Sequence, residues 1–327
     1  MADFDLLSFG DASLDVFIAP TEHEEFCTLD KKKCLICFNY ADKIPVDEIY
    51  FVTGGNAANN AVGVTRLGLR AALVATLGGD LSGDNIIEGL KGEKVDTSFI
   101  TRQENTISNY NTAVMYGGER TIFTYHPPYE YKFPQNLPGV GWAYLTSMGK
   151  NFAPFYTNLV EWAKKNSVRV GFNPGSSQMK AGVDTLRNLF PVLEILFVNK
   201  EEAKKFMGDG SDDIKTLLTG MVQLGVKKAV ITDGDQGAYA YDGQKFYKIG
   251  VLPINAYERT GAGDSFGAGC MTALIQGKGM DETLLWGTVN SASVIGKIGP
   301  QAGLLTKDEL PVWLDRAKSS GVRIEEL

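Results

Sequence analysis

The chain has 327 residues, 44% of them hydrophobic and 22% charged, the balance of a folded globular protein rather than a disordered one. Its 32 Lys+Arg against 39 Asp+Glu leave a formal net charge of -7, which disfavours a nucleic-acid partner, because phosphate backbones reward clustered Lys and Arg. No stretch approaches the roughly 18 apolar residues that span a bilayer, and the acidic N-terminal segment lacks the pattern of a secretory signal; the expected setting is cytoplasmic, with no membrane partner.

In chain order, Asp5–Gly10 reads as a buried strand ending at a turn. The segment from Val16 to Val52 lacks helical period and is rich in Thr, Ile, Val, Tyr and Phe, a β composition. It carries three of the four cysteines, Cys27, Cys34 and Cys37, together with His23. A Cys₃His zinc site is one reading of that cluster, reduced thiols in a β appendage the other; the fourth, Cys270, reads as a small buried hydrophobe. A helix over Asn56–Leu67 follows a Gly54-Gly55 break, and Ala71–Leu77 is a second buried strand, closed by Gly78-Gly79-Asp80. Ser98–Tyr125 again lacks helical period, with a hairpin expected from Thr112–Tyr116 and Arg120–Tyr125 around Gly117-Gly118. His126 sits in a Tyr-His-Pro-Pro-Tyr run, where it either faces a ligand under the appendage or lies on the surface. Strands at Trp142–Thr146, Val168–Phe172, Ile195–Val198 and Ala229–Thr232 then alternate with helices near Pro154–Lys165, Ala181–Leu189, Lys200–Met207 and Asp213–Leu224. From Gly261 onward the pattern is chiefly helical. Alternation of this kind predicts an α/β fold: a mostly parallel sheet covered on both faces in three layers. The two irregular segments, 16–52 and 98–125, then form one small β lid on a core of 1–15, 53–97 and 126–327.

The stretch Thr260-Gly261-Ala262-Gly263-Asp264-Ser265-Phe266-Gly267 carries the most chemistry. Small residues before a helix let an anion approach the free N–H groups of its first turn, where the helix dipole favours negative charge. An aspartate there would repel a phosphate if the turn only bound one. The conflict resolves if Asp264 accepts a proton from an attacking hydroxyl while neighbouring N–H groups stabilise a transferring phosphoryl group. The plainer alternative is a capping aspartate among packing glycines. A dinucleotide fingerprint is disfavoured, since no buried strand precedes Gly261, and no G-x-x-x-x-G-K-[ST] loop is present.

This turn resembles the C-terminal signature of the ribokinase-like (PfkB) carbohydrate kinases. Gly54-Gly55-Asn56-Ala57-Ala58-Asn59 running into Arg66-Leu67-Gly68 resembles the N-terminal signature of the same family. The resemblance extends through Asn199-x-x-Glu202, Thr232-x-Gly234-x-x-Gly237 and Asn290. It implies an ATP-dependent kinase acting on a hydroxyl of a sugar-like molecule, a nucleoside kinase being the alternative. Asp264 would be the base, and Gly261, Ala262 and Gly263 the anion hole. Asp15, Gly54, Gly55, Asn56 and Asn59 would hold the substrate; Thr232, Gly234, Gly237 and Asn290 would serve the nucleotide. Asn199 and Glu202 would organise Mg2+ and its waters, although Asn-x-x-Glu at a helix start is also a capping box. The family usually has Asp where Glu258 stands, a position linked to a monovalent cation. Ribokinases tend to have Lys at the place of Asn56, and many fructokinases an Arg missing from Asn173-Pro174-Gly175-Ser176-Ser177. A homodimer through an exposed lid edge is a further expectation.

Overall fold

The computed structural model describes residues 3–21, 24–27, 34–116, 119–208 and 210–327. Six strands run parallel in the spatial order Ala71–Val74, Leu6–Phe9, Trp142–Leu145, Arg169–Phe172, Leu193–Asn199, Ala229–Thr232. Each is a short apolar run buried on both faces, the pattern that a sheet under two helical layers demands. Three antiparallel strands, Ala238–Tyr241, Phe246–Ile249 and Ile324–Glu326, extend one edge. The last of these closes a C-terminal region that the sequence reads as chiefly helical.

Two hydrophobic layers flank the sheet. On one face Phe9, Leu145, Phe172 and Leu196 pack against the helices Ala153–Asn166, Lys200–Met207 and Ile214–Gln223. On the other, Leu6, Tyr144, Ile195 and Val230 meet the helices Asn56–Arg66, Ala262–Ile275 and Met280–Ile295. The three-layer expectation therefore stands. The Ala262–Ile275 helix is buried from Asp264 to Leu274, as a helix wedged between the sheet and another helix must be.

A separate four-stranded sheet is ordered Glu119–Tyr125, Asn109–Tyr116, Ser13–Pro20, Val46–Gly54. Ser13–Pro20 pairs parallel with Asn109–Tyr116 and antiparallel with Val46–Gly54, which joins the two irregular segments in space. The expected hairpin forms, Glu119–Tyr125 lying antiparallel to Asn109–Tyr116, with Gly117 and Gly118 outside the described residues. Thr101–Gln103, grouped with the lid in the sequence, instead pairs with Thr76–Gly78.

Strand order decides where a ligand can sit. The chain leaves Leu6–Phe9 for one neighbour, Ala71–Val74, and later returns to its other side at Trp142–Leu145. In open α/β sheets the crevice at such a reversal, beyond the carboxyl ends of the strands, is where ligands bind. Asp11 and Ser147 follow those two strands directly, and the Asp11 N–H donates to the Ser147 carbonyl at 2.9 Å.

Candidate active site

Asp264 is the third residue of the Ala262–Ile275 helix, 8% exposed. Asn59 Nδ2 donates to its Oδ2 at 2.8 Å, and Asn56 also hydrogen-bonds the carboxylate. Burial pushes the Asp264 pKa from 3.8 up to about 7; the two asparagines oppose the rise and the charge of Asp15 adds to it. A carboxyl poised near neutrality suits a general base.

The turn before it has a backbone only glycine supplies cheaply. Gly261 has φ +78°, and a Cβ there would lie 2.6 Å from the Pro300 Cβ. At Gly263, by contrast, a Cβ would meet nothing within 4 Å. Packing does not explain that glycine; an open approach to the backbone does. The Ala262 N–H is engaged with the Arg259 carbonyl at 3.3 Å. The N–H groups of Gly263 and Asp264 belong to the first helical turn, with no intrahelical carbonyl behind them.

A cavity of about 320 Å³ opens on the outer side of this turn, lined in part by Thr232, Gly234, Gly237, Gly263, Phe266 and Thr288. Thr232 and Asn199 are register partners at the carboxyl ends of adjacent strands. Asn199 Oδ1 accepts from the Glu202 N–H at 2.8 Å and Glu202 Oε2 from the Asn199 N–H at 2.9 Å. The pair is thus a capping box, and burial raises the Glu202 pKa. Its oxygens, beside the cavity's Thr232, fit the preference of magnesium for hard oxygen ligands. Asn290 departs from its expected place. It is fully buried, donating to the Ser265 carbonyl at 2.7 Å and accepting from the Leu305 N–H at 3.0 Å. It braces the Asp264 helix from behind and does not line the cavity.

Inward of Asp264 lies a second polar set. Asp15, 7% exposed, accepts from Ser13 Oγ and Asn111 Nδ2, both at 2.7 Å. Burial raises its pKa, with Glu258 adding to the rise. Gly54 is required beside it, since a Cβ there would fall 2.0 Å from Asp15 Oδ2. Gly55, at φ +92°, packs against Ala12 and the Asp11 carbonyl. Asn111 Oδ1 is buried without a hydrogen-bond partner, an acceptor left for a ligand hydroxyl.

Asn59 is placed differently from the sequence expectation. Its Oδ1 accepts from Gln301 Nε2 at 2.9 Å while its Nδ2 holds Asp264, so it orients the carboxylate rather than facing a substrate. Gln301, Asn111 and Asp11 are the residues that sequence reasoning missed. Only for Asp11 was a local signal present, the short turn Gly10-Asp11-Ala12.

Glu258 is 2% exposed, with Arg120 Nε from the lid 3.1 Å from its Oε1. The Thr260 N–H (2.6 Å) and hydroxyl donate to the same oxygen, tying the lid to the turn that begins at Thr260. Of the cysteine cluster only the backbone pairing is described. Cys27 and Cys34 are register partners and Cys37 pairs with Glu24, while His23 lies outside the described residues. Among the described residues no three His, Cys, Asp or Glu side chains form a group able to hold a metal ion, and no helix is long and apolar enough to cross a membrane.

A buried carboxyl at a helix start, between an open glycine-lined cavity and a second buried polar set, is the arrangement expected of a phosphotransferase with an alcohol acceptor. The pfkB family carbohydrate kinase model matches residues 24–307, and the chain belongs to that family. It is 27% identical to a ribokinase of Haemophilus influenzae over 81% of this chain and 88% of that enzyme. It is 22% identical to an ATP-dependent 6-phosphofructokinase of Thermoanaerobacterium thermosaccharolyticum, over 87% and 91% of the two chains. A nucleoside kinase structure from Methanocaldococcus jannaschii superposes with a TM-score of 0.78 at 21% identity, covering 96% of this chain and 99% of that one.

Proposed function

We propose that this protein transfers the γ-phosphoryl group of ATP to a hydroxyl of a sugar or sugar-like small molecule, with Asp264 as the base. The observation that carries the reading is the position of Asp264. Its carboxylate is held by Asn56 and Asn59 between the Gly263 opening and the Asp15–Asn111 pocket. ATP fits the cavity with its phosphates toward Gly263, and the acceptor fits the inner pocket with one hydroxyl at Asp264. The carboxylate takes the hydroxyl proton as the oxygen attacks, and the N–H groups at the helix start meet the charge on the transferring group. Magnesium, held through Glu202 and Asn199, would neutralise phosphate charge. Asp15 and Asn111 supply acceptors for several hydroxyls, the recognition a polyol needs.

A nucleoside acceptor is the second reading, supported by the structural likeness to a nucleoside kinase. A monovalent cation has no role in the proposal, because Arg120 balances Glu258. The exposed apolar side chains Phe51 and Phe123 on the two edge strands of the lid fit a homodimer through it. A cytoplasmic setting, where ATP is plentiful, goes with the reading. The test is ADP formation from Mg·ATP across pentoses, hexoses, keto-deoxy acids, phosphosugars and nucleosides. Turnover with one member supports the proposal and names its class; ATP binding with no turnover on any would leave a ligand sensor.

A further inference from the structure

We propose that the acceptor carries no anionic group, and that Asp11, acting with Asp15, is the specificity residue that excludes phosphorylated and carboxylated sugars. The inference rests on the kinase reading above and narrows its substrate class.

Asp11 stands at the topological switch point, where the crevice between Leu6–Phe9 and Trp142–Leu145 opens beneath the lid. Hydrogen bonds connect it to the base. Asn56, which holds Asp264, accepts from Ser147 Oγ at 3.2 Å, and the Ser147 carbonyl in turn accepts from the Asp11 N–H at 2.9 Å. Its carbonyl packs under Gly55, so Asp11 and the Gly54-Gly55 break share one floor. An acceptor with a hydroxyl at Asp264 extends along this row, with Asp15 on one side and Asp11 at the far end.

The hydrogen-bond partners of the two carboxylates are neutral. Tyr131 Oη donates to Asp11 Oδ1 at 3.5 Å, and Asn109 and Ser147 are its other hydrogen-bond partners. Among the described residues the one basic group within ion-pair distance of Asp11 is His126, whose Nδ1 is 3.9 Å from Oδ2. Desolvation lowers the His126 pKa, which favours the uncharged ring. The uncompensated burial of Asp11 is also visible in its pKa, pushed up to about 7. Among the described residues the hydrogen-bond partners of the Asp15 side chain are Ser13 and Asn111, and Arg120, the nearby lid cation, is committed to Glu258.

A phosphate or carboxylate on the acceptor would thus enter a poorly solvated crevice already holding two carboxyl groups, and among the described residues no Lys or Arg lies within ion-pair distance of either. Like charges at short range in a low dielectric repel strongly. Neutral hydroxyls or amines do the opposite, donating to Asp11, to Asp15 and to the unpartnered Asn111 Oδ1.

The experiment measures kcat/KM for ADP formation with ribose, fructose, glucose and adenosine. Each sugar is paired with monophosphates esterified at either terminal hydroxyl in turn and with its sugar acid, so that an acceptor hydroxyl always survives. The wild type is expected to prefer the neutral member by about 100-fold or more. Asp11→Asn, which keeps shape and removes charge, should shrink that preference at least tenfold; a purely structural role would lower both members together. Asp11→Ser serves as the second variant if Asp11→Asn does not give a cooperative thermal transition. A wild type that prefers an anionic acceptor, or a preference unchanged in both variants, overturns the inference and leaves the kinase intact. No transfer to any acceptor overturns the kinase reading and this inference with it.

Discussion

Asp264→Asn separates the two consequences of burying the proposed catalytic carboxylate. In the fold its pKa lies near 7, against an ordinary 3.8, because burial disfavours the charged form. The folded protein therefore holds this proton more tightly than the unfolded chain does. Its stabilising effect is complete below pH 3.8 and is lost as pH rises through about 7. About three pH units, at about 1.4 kcal/mol each, make the ionised form cost about 4 kcal/mol at pH 8.5. Asparagine removes that cost but disturbs the bond from Asn59, worth about 1 kcal/mol. The variant should therefore be more stable than wild type by about 3 kcal/mol at pH 8.5, or about 4 °C in Tm for a chain of this length. Near pH 4 that advantage should be gone, leaving the variant slightly less stable than wild type through the disturbed Asn59 bond. Turnover should meanwhile fall by about two to four orders of magnitude with ATP binding preserved. Thermal unfolding at the two pH values, nucleotide titration and steady-state kinetics read these separately. Equal Tm values at pH 8.5 would refute the desolvation argument, and turnover within tenfold of wild type would remove Asp264 from its role.

Four further outcomes follow from neighbouring contacts. Asn59→Ala removes a donor that lowers the Asp264 pKa, so the acid limb of the kcat/KM profile should move above pH 7; a limb that stays or moves down contradicts the assigned bond. Gly54→Ala places a methyl 2.0 Å from Asp15 Oδ2, and acceptor KM should rise at least tenfold with the ATP KM within twofold, measured by varying each substrate in turn. Arg120→Ala leaves Glu258 buried without its cation and should cost about 3 kcal/mol in denaturant unfolding. Wild-type turnover in potassium and in sodium salts should agree within twofold, whereas strong activation by one ion would place a monovalent cation at Glu258.

The legible and illegible parts of this molecule divide by range of interaction. Apolar runs such as Leu193–Asn199 and the capping box at Asn199 and Glu202 are local, and a reader of the chain finds them within a residue or two. The two glycine turns were legible because Gly54-Gly55 and Gly261-Ala262-Gly263 answer to backbone geometry that few other residues tolerate. The extra strands Ala238–Tyr241 and Phe246–Ile249 carried a weak signal, the alternation Ala-Tyr-Ala-Tyr, which escaped because a hairpin on a parallel sheet breaks the strand-helix rhythm. The roles of the asparagines were not legible at all. An amide looks the same in the sequence whether it keeps a buried acceptor unpartnered, as Asn111 does, orients a carboxylate, as Asn59 does, or braces a helix, as Asn290 does. What distinguishes them is a partner far along the chain: Gln301 lies 242 positions from Asn59, and Asp264 lies 205. Asp11 escaped for the same reason, since its setting at a switch point exists only once strand order is known. The sequence thus singles out Asp264 as the proposed base, but its pKa, raised first by burial, is then tuned by residues from distant parts of the chain. Substitutions at Asn59 or Gln301 should therefore alter catalysis while leaving the glycine signature untouched.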